Sequence, residues 1–201
     1  NYSVVVSNAY GTVTSSNALL TVRPPPLVML WNVDFVLTTG VKVGLAATGL
    51  AVDDYWNPYS APWQTFAGLS DLKLADGTPT AAGLTVQNGA GHWSFSHPDP
   101  MYSGYCYAQD FGDVTLTVTN LPSGKYDFYL YGHGGANTEN TAFQLLVGGN
   151  DYGNELTATN GDWALTNWVE GAQYVVYRSV AVTNGGAPVV VKAHPNVSTY
   201  T

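Results

Sequence analysis

The stretch Asp113 to Gly132, DVTLTVTNLPSGKYDFYLYG, decides how the rest of the chain is read. In its first half Val114, Leu116 and Val118 alternate with Thr115, Thr117 and Thr119, the period of two expected of a strand with one buried face. In its second half Tyr126, Phe128 and Leu130 alternate with Lys125, Asp127, Tyr129 and Tyr131. Between them Asn120-Leu121-Pro122-Ser123-Gly124 supplies turn chemistry: proline presets φ and glycine accepts backbone angles that other residues resist. The expectation is a central hairpin. An isolated hairpin is not stable in water, so a second sheet must cover its apolar face, and the rest of the chain should supply it.

Working outward, the N-terminal side carries two short runs, Tyr2–Ser7 and Val13–Val22, around the turn Asn8-Ala9-Tyr10-Gly11. Tyr2, Val4, Val6, Ser7, Asn8, Gly11, Ser15, Ala18, Leu20 and Val22 together resemble the last two strands of bacterial immunoglobulin-like domains. The resemblance covers about a tenth of the chain, and such a sandwich needs about seven strands. Residues 1–22 are therefore read as a β-ribbon without a sandwich of its own. Arg23-Pro24-Pro25-Pro26-Leu27 follows, and three successive prolines favour a stiff spacer over residues 23–27. Residues 28–201 form the main domain.

In that domain Trp31, Val33, Phe35 and Leu37 predict an opening strand, Val41–Leu45 another, and Leu84–Val86 a third. Residues Ala51–Trp63 and Gly91–Asp110 read as aromatic loops, because prolines and polar residues interrupt any period. Gly132-His133-Gly134-Gly135 is expected to be a flexible corner. A strand follows over Phe143–Val147, then a mostly loop-like stretch over Asp151–Gly171, then strands over Tyr174–Val182 and Pro188–His194. No window shows sustained helical periodicity. The expected fold is all-β: a jelly-roll β-sandwich preceded by the N-terminal β-ribbon and the proline spacer. After the last strand one more could follow, so an open edge is expected there.

Composition narrows the function classes. Six Lys and Arg stand against fourteen Asp and Glu in 201 residues, a net charge of −8. Binding to nucleic acid needs clustered cations to displace counterions from phosphates, and the sequence holds no such cluster. Anionic membrane surfaces are disfavoured for the same reason, and no apolar run approaches the ~18 residues of a membrane-spanning helix. Low total charge, 22 Gly and 14 Tyr resemble the make-up of secreted β-proteins, so the expected location is extracellular or at the cell surface. Cys106 is the only cysteine, so no internal disulfide is possible. The chain begins mid-pattern at Asn1, which suggests a processed or incompletely identified protein.

Candidate sites were weighed against ordinary packing. Sugar rings present apolar C–H faces that flat aromatic rings cover, and two loops offer such rings: Tyr55, Trp56, Tyr59 and Trp63 in one, Trp93, Tyr102, Tyr105 and Tyr107 in the next. In architecture and composition the main domain resembles jelly-roll carbohydrate-binding modules. Under the packing alternative the same rings pin long loops to the sheet. Tyr129 and Tyr131, on the non-core side of the central hairpin, either line a groove or lie under a loop. His92, His97 and Asp99 lack zinc spacing, and Asp53-Asp54, Asp110 and Asp113 lack a calcium-loop pattern. No metal or cofactor is expected. With no nucleophile elbow, no Cys–His signature and no phosphate-binding glycine loop, neither is an enzyme. Asn1 and Asn196 head N-x-S sequons.

The leading expectation is a structural subunit of an extracellular fibre, polymerising head-to-tail as its N-terminal strands enter the sandwich of the next copy. This is similar in principle to donor-strand assembly of pili. Val4, Val6, Val13, Leu20 and Val22 are the expected interface side chains. The alternative is a secreted carbohydrate-binding module using Tyr55, Trp56, Tyr59, Trp63, Trp93 and Tyr105.

Overall fold

The computed structural model describes residues 2–18, 28–36, 40–60, 67–94, 96–108, 112–134, 139–158, 167–183 and 186–195. The spacer 23–27 lies outside them, as do Asn1, Leu20, Val22, Trp63 and Asn196. The elements run β1 (Val5–Asn8), β2 (Gly11–Thr14), β3 (Val33–Phe35), β4 (Asn57–Tyr59), β5 (Ala67–Leu69), β6 (Gly83–Gln87), β7 (Gly89–Ser94), α1 (Pro100–Ser103), β8 (Gly104–Ala108), β9 (Val114–Thr119), β10 (Gly124–Tyr131), β11 (Thr141–Val147), β12 (Asn150–Leu156), β13 (Tyr174–Val182) and β14 (Val189–Pro195). The fold is all-β, with one helix of four residues among the described residues.

One six-stranded sheet runs in the order β12-β11-β14-β9-β6-β5, and β10 pairs with β13 in a separate two-stranded sheet. Their apolar faces meet in a single core, where Leu145, Val147, Val189 and Val191 of the larger sheet join Val175, Tyr177, Val180 and Val182 of β13. The Tyr177 hydroxyl sits deep enough in this layer to lie 2.7 Å from the carbonyl of Phe143 and 3.0 Å from that of Gly153.

The central hairpin is not a hairpin. β9 lies between β14 and β6, whereas β10 pairs with β13, so the chain between them crosses from one sheet to the other. The reason is in the side chains. Paired sideways, both strands would present their apolar faces in one direction with nothing above. As an arch, Leu116 and Val118 look toward Tyr126, Phe128 and Leu130, and all five pack on the same core. The turn is built for this. Asn120 takes φ 58° and its amide donates to the Ala81 carbonyl at 3.1 Å, while Leu121 is buried in the core.

β13 keeps its core face through a bulge. Tyr126 pairs with Val180 but Phe128 with Tyr177, so Arg178 and Ser179 together oppose Asp127. Ser179 has φ 55°, and its amide donates to the Asp127 carboxylate at 2.7 Å. The extra residue moves the inward positions from 175 and 177 to 180 and 182, which is why both pairs reach the core.

Six other expectations are corrected. Val41–Leu45 is not a strand: the Lys42 amide donates to the Asp34 carboxylate at 2.8 Å instead of joining a ladder. The supposed loop 51–63 contains β4, which pairs in parallel with β3. The supposed loop 91–110 contains the antiparallel pair β7 and β8, and 151–171 begins with β12. The corner at Gly132–Gly134 is packed rather than loose: a Cβ on Gly132 would come within 2.5 Å of Phe143, and the Thr157 hydroxyl donates to the Gly132 carbonyl at 2.7 Å. Finally, β14 is interior, flanked by β11 and β9, so the last strand borders no open edge.

Candidate interaction site: an exposed ribbon and an apolar slot

β1 and β2 form an antiparallel ribbon in which Val6 faces Val13 and Ser7 faces Thr12. Side chains alternate across such a ribbon, so Val4, Val6 and Val13 share one face and Val5, Ser7, Thr12 and Thr14 the other. The second face is tied by a 2.9 Å contact between the Ser7 and Thr12 hydroxyls. The valine face is uncovered: Val4 is 64 %, Val6 65 % and Val13 72 % exposed, and every residue from 2 to 18 is exposed. The segment contains no charged side chain.

The second feature is a cavity of about 320 Å³ between the sheets. Its floor is Leu116 and Val118 of β9 with Val191 and Ala193 of β14. One wall is Trp31, Val33 and Phe35 with Tyr105 and Cys106 of β8. The opposite wall is β10, which contributes every residue from 126 to 131, with Gly132 and His133 just beyond it. A strand seen from its face would offer every second residue, because side chains alternate. An unbroken run means that β10 turns its edge toward the cavity. That edge is unpaired, since β13 is its one strand partner among the described residues. The cavity is therefore a slot alongside a bare strand edge, with aliphatic floor and aromatic sides. Burial in this setting pushes the Cys106 thiol up to about 12, which makes it an inert lining group and not a nucleophile. His133 ends the wall, buried, and its Nε2 has no hydrogen-bond partner among the described residues.

The aromatic candidates separate by burial. Trp56 is 4 % exposed, its Nε1 donating to the Gly44 carbonyl at 2.8 Å, and Tyr59 is 2 % exposed in the main core. Neither offers a ring face to a sugar, so the glycan reading loses both. Tyr55 is half-buried beneath the Lys73 ammonium, 5.0 Å from its ring centroid. Trp93 is 57 % exposed. It pairs with Tyr105 across β7 and β8, and Tyr107 pairs with Gly91, so Trp93, Tyr105 and Tyr107 share one face of that ribbon. Tyr129 and Tyr131 pack against Tyr174, and the Tyr131 hydroxyl accepts from the Ala47 amide at 3.1 Å, so both are half-covered while also lining the slot.

The polar candidates are structural. His92 packs on the Tyr59 ring at 5.9 Å. His97 receives the Asp99 amide at 3.0 Å, and Asp99 caps α1 by accepting from the Met101 amide at 3.0 Å. The buried Lys42 ammonium lies 2.5 Å from Asp99, clamping the 40–50 segment to the helix. Asp54 accepts from the amides of Leu50 and Ala51, and Asp113 pairs with His194 at 2.8 Å. Among the described residues no three His, Cys, Asp or Glu converge as a metal set, and no helix is long and apolar enough to cross a membrane. The sequence reading did not find the slot. Its one signal was that the apolar residues of β10 outnumber those a hairpin partner would cover.

The chain matches no protein-family model, no curated protein and no solved structure.

Proposed function

We propose that this protein is a structural subunit of an extracellular fibre, in which the N-terminal ribbon of one copy joins it to the next. The observation that carries the reading is the valine face of β1 and β2: three β-branched side chains on one side of a regular ribbon, uncovered and in a segment free of charge. Such a face gains free energy only when something covers it, at about 25 cal/mol for each Å² removed from water. A ribbon that presents both an apolar face and a free backbone edge is suited to strand addition. Head-to-tail addition is open and non-closing, so it builds a filament. The crossings between the two sheets at β9–β10, β10–β11, β12–β13 and β13–β14 fit the jelly-roll form of the sandwich.

The test is negative-stain electron microscopy and sedimentation of the full chain beside Val6→Arg and Val13→Arg. The expected result is concentration-dependent filaments or oligomers from the parent, lost in both variants, with thermal melting unchanged because neither side chain is buried. A monomer at every concentration overturns the reading.

A second reading rests on the shared face of Trp93, Tyr105 and Tyr107. It makes the domain a secreted carbohydrate-binding module, with β7 and β8 as a stacking platform. Trp93→Ala should then abolish retention on immobilised polysaccharide, and equal retention of parent and variant would remove it.

A further inference from the structure

The geometry points to the slot beside β10 as the acceptor of that ribbon: β1 of a second copy lies along the free edge of β10 and lays Val4 and Val6 onto the floor formed by β9 and β14. The inference rests on the fibre reading and adds the site at which the copies meet.

The shape of the slot selects a strand over a compact ligand. A bare strand edge offers a row of backbone donors and acceptors spaced for another strand, and an apolar floor offers side-chain pockets at the same spacing. Six consecutive residues of β10, 126–131, line the slot, about 20 Å at the usual rise per residue. Tyr2–Asn8 in an extended conformation span about 23 Å by the same rise, so the lengths agree. His133 supplies an independent indication. Among the described residues its buried Nε2 lacks a hydrogen-bond partner at the end of the slot, a costly state that an incoming backbone group would relieve.

Charge and edge protection make the choice of occupant. Among the described residues the lining contains no Lys, Arg or Glu and one Asp, Asp127, while the ribbon has no charge at all. In a chain of net charge −8, the uncharged ribbon can enter such a slot without desolvating an ion pair. The other edges of these two sheets are guarded. β12 is exposed throughout, carries Asp151 and Glu155, and is bulged where Gly153 takes φ 85°. β5 is three residues long. β13 carries the bulge at Arg178–Ser179 with the Arg178–Glu170 ion pair beside it. β10 alone among these offers a long edge without such a device.

The experiment is hydrogen exchange with peptide-level mass analysis on the full chain at low and high concentration. Amides of 126–131 should slow about tenfold or more at high concentration, while those of β11 stay unchanged. Val6→Arg should abolish the slowing, and Thr12→Arg, on the opposite ribbon face, should retain it. Filaments without slowing at β10 overturn the slot and leave the fibre reading standing. Protection at β10 independent of concentration and unaltered by Val6→Arg overturns the slot as well. If the chain stays monomeric, the fibre reading falls, and a synthetic peptide of residues 2–18 added in trans decides the slot by itself: slowed exchange at 126–131 supports it, and none overturns it.

Discussion

Asp34 is fully buried, and among the described residues its Oδ1 lacks a hydrogen-bond partner while Oδ2 accepts from the Lys42 amide. Burial is the largest influence on it and raises its pKa from 3.8 to about 6, against the lowering effect of the Lys42 amide; the nearby Asp99 charge raises it further and the Lys42 charge lowers it. The folded protein thus holds the Asp34 proton more tightly than the unfolded chain. The stability this contributes is fully present below about pH 4 and is lost as the pH rises through about 6. Asp34→Asn is neutral throughout and keeps an acceptor for the Lys42 amide. It should unfold at higher urea than the parent at pH 7, by about 1–2 kcal/mol, and the difference should vanish near pH 4. A constant difference across that range would show that the carboxylate is not the source.

At the scale of elements, the β9–β10 arch governs the fold. Leu121 separates an arch from a hairpin, because a hairpin tip faces water whereas Leu121 is 5 % exposed in the core. Leu121→Ala should therefore cost about 2–3 kcal/mol in denaturant unfolding, the penalty of a buried leucine. A loss below about 0.5 kcal/mol, usual for a surface turn, would contradict the arch. The alternation of Val114, Leu116 and Val118 was legible as a strand in the sequence, as was that of Tyr126, Phe128 and Leu130. Their partners were not. Alternation specifies which side of a strand is buried and says nothing about the neighbour at its edge. Leu121, an apolar residue amid turn formers, was the available hint.

Across the whole molecule the core is uneven. The half beneath β13 is closed, with Leu145 fully buried, whereas the half beneath β10 opens into the slot. Leu145→Ala should cost about 3–5 kcal/mol, and Leu130→Ala, on the slot wall, about 1–2 kcal/mol, because a residue already beside a void loses fewer contacts. Equal losses in chemical denaturation would mean that the two halves pack alike. The same asymmetry underlies the proposed junction between copies, since the side that lacks packing is the side with a bare strand edge among the described residues.

The sequence by itself determined that the chain is all-β, the course of β11, β13 and β14, the valine ribbon and its lack of charge. Those properties follow from period-two patterning, turn residues and composition, all local. Tertiary structure alone decided that β9 and β10 part between sheets, that β14 is interior, and that Trp56 and Tyr59 are core while Trp93 is not. It also decided that the open edge belongs to β10. Each of these depends on which distant segment covers a given surface, and coverage arises only when the whole chain has closed on its core.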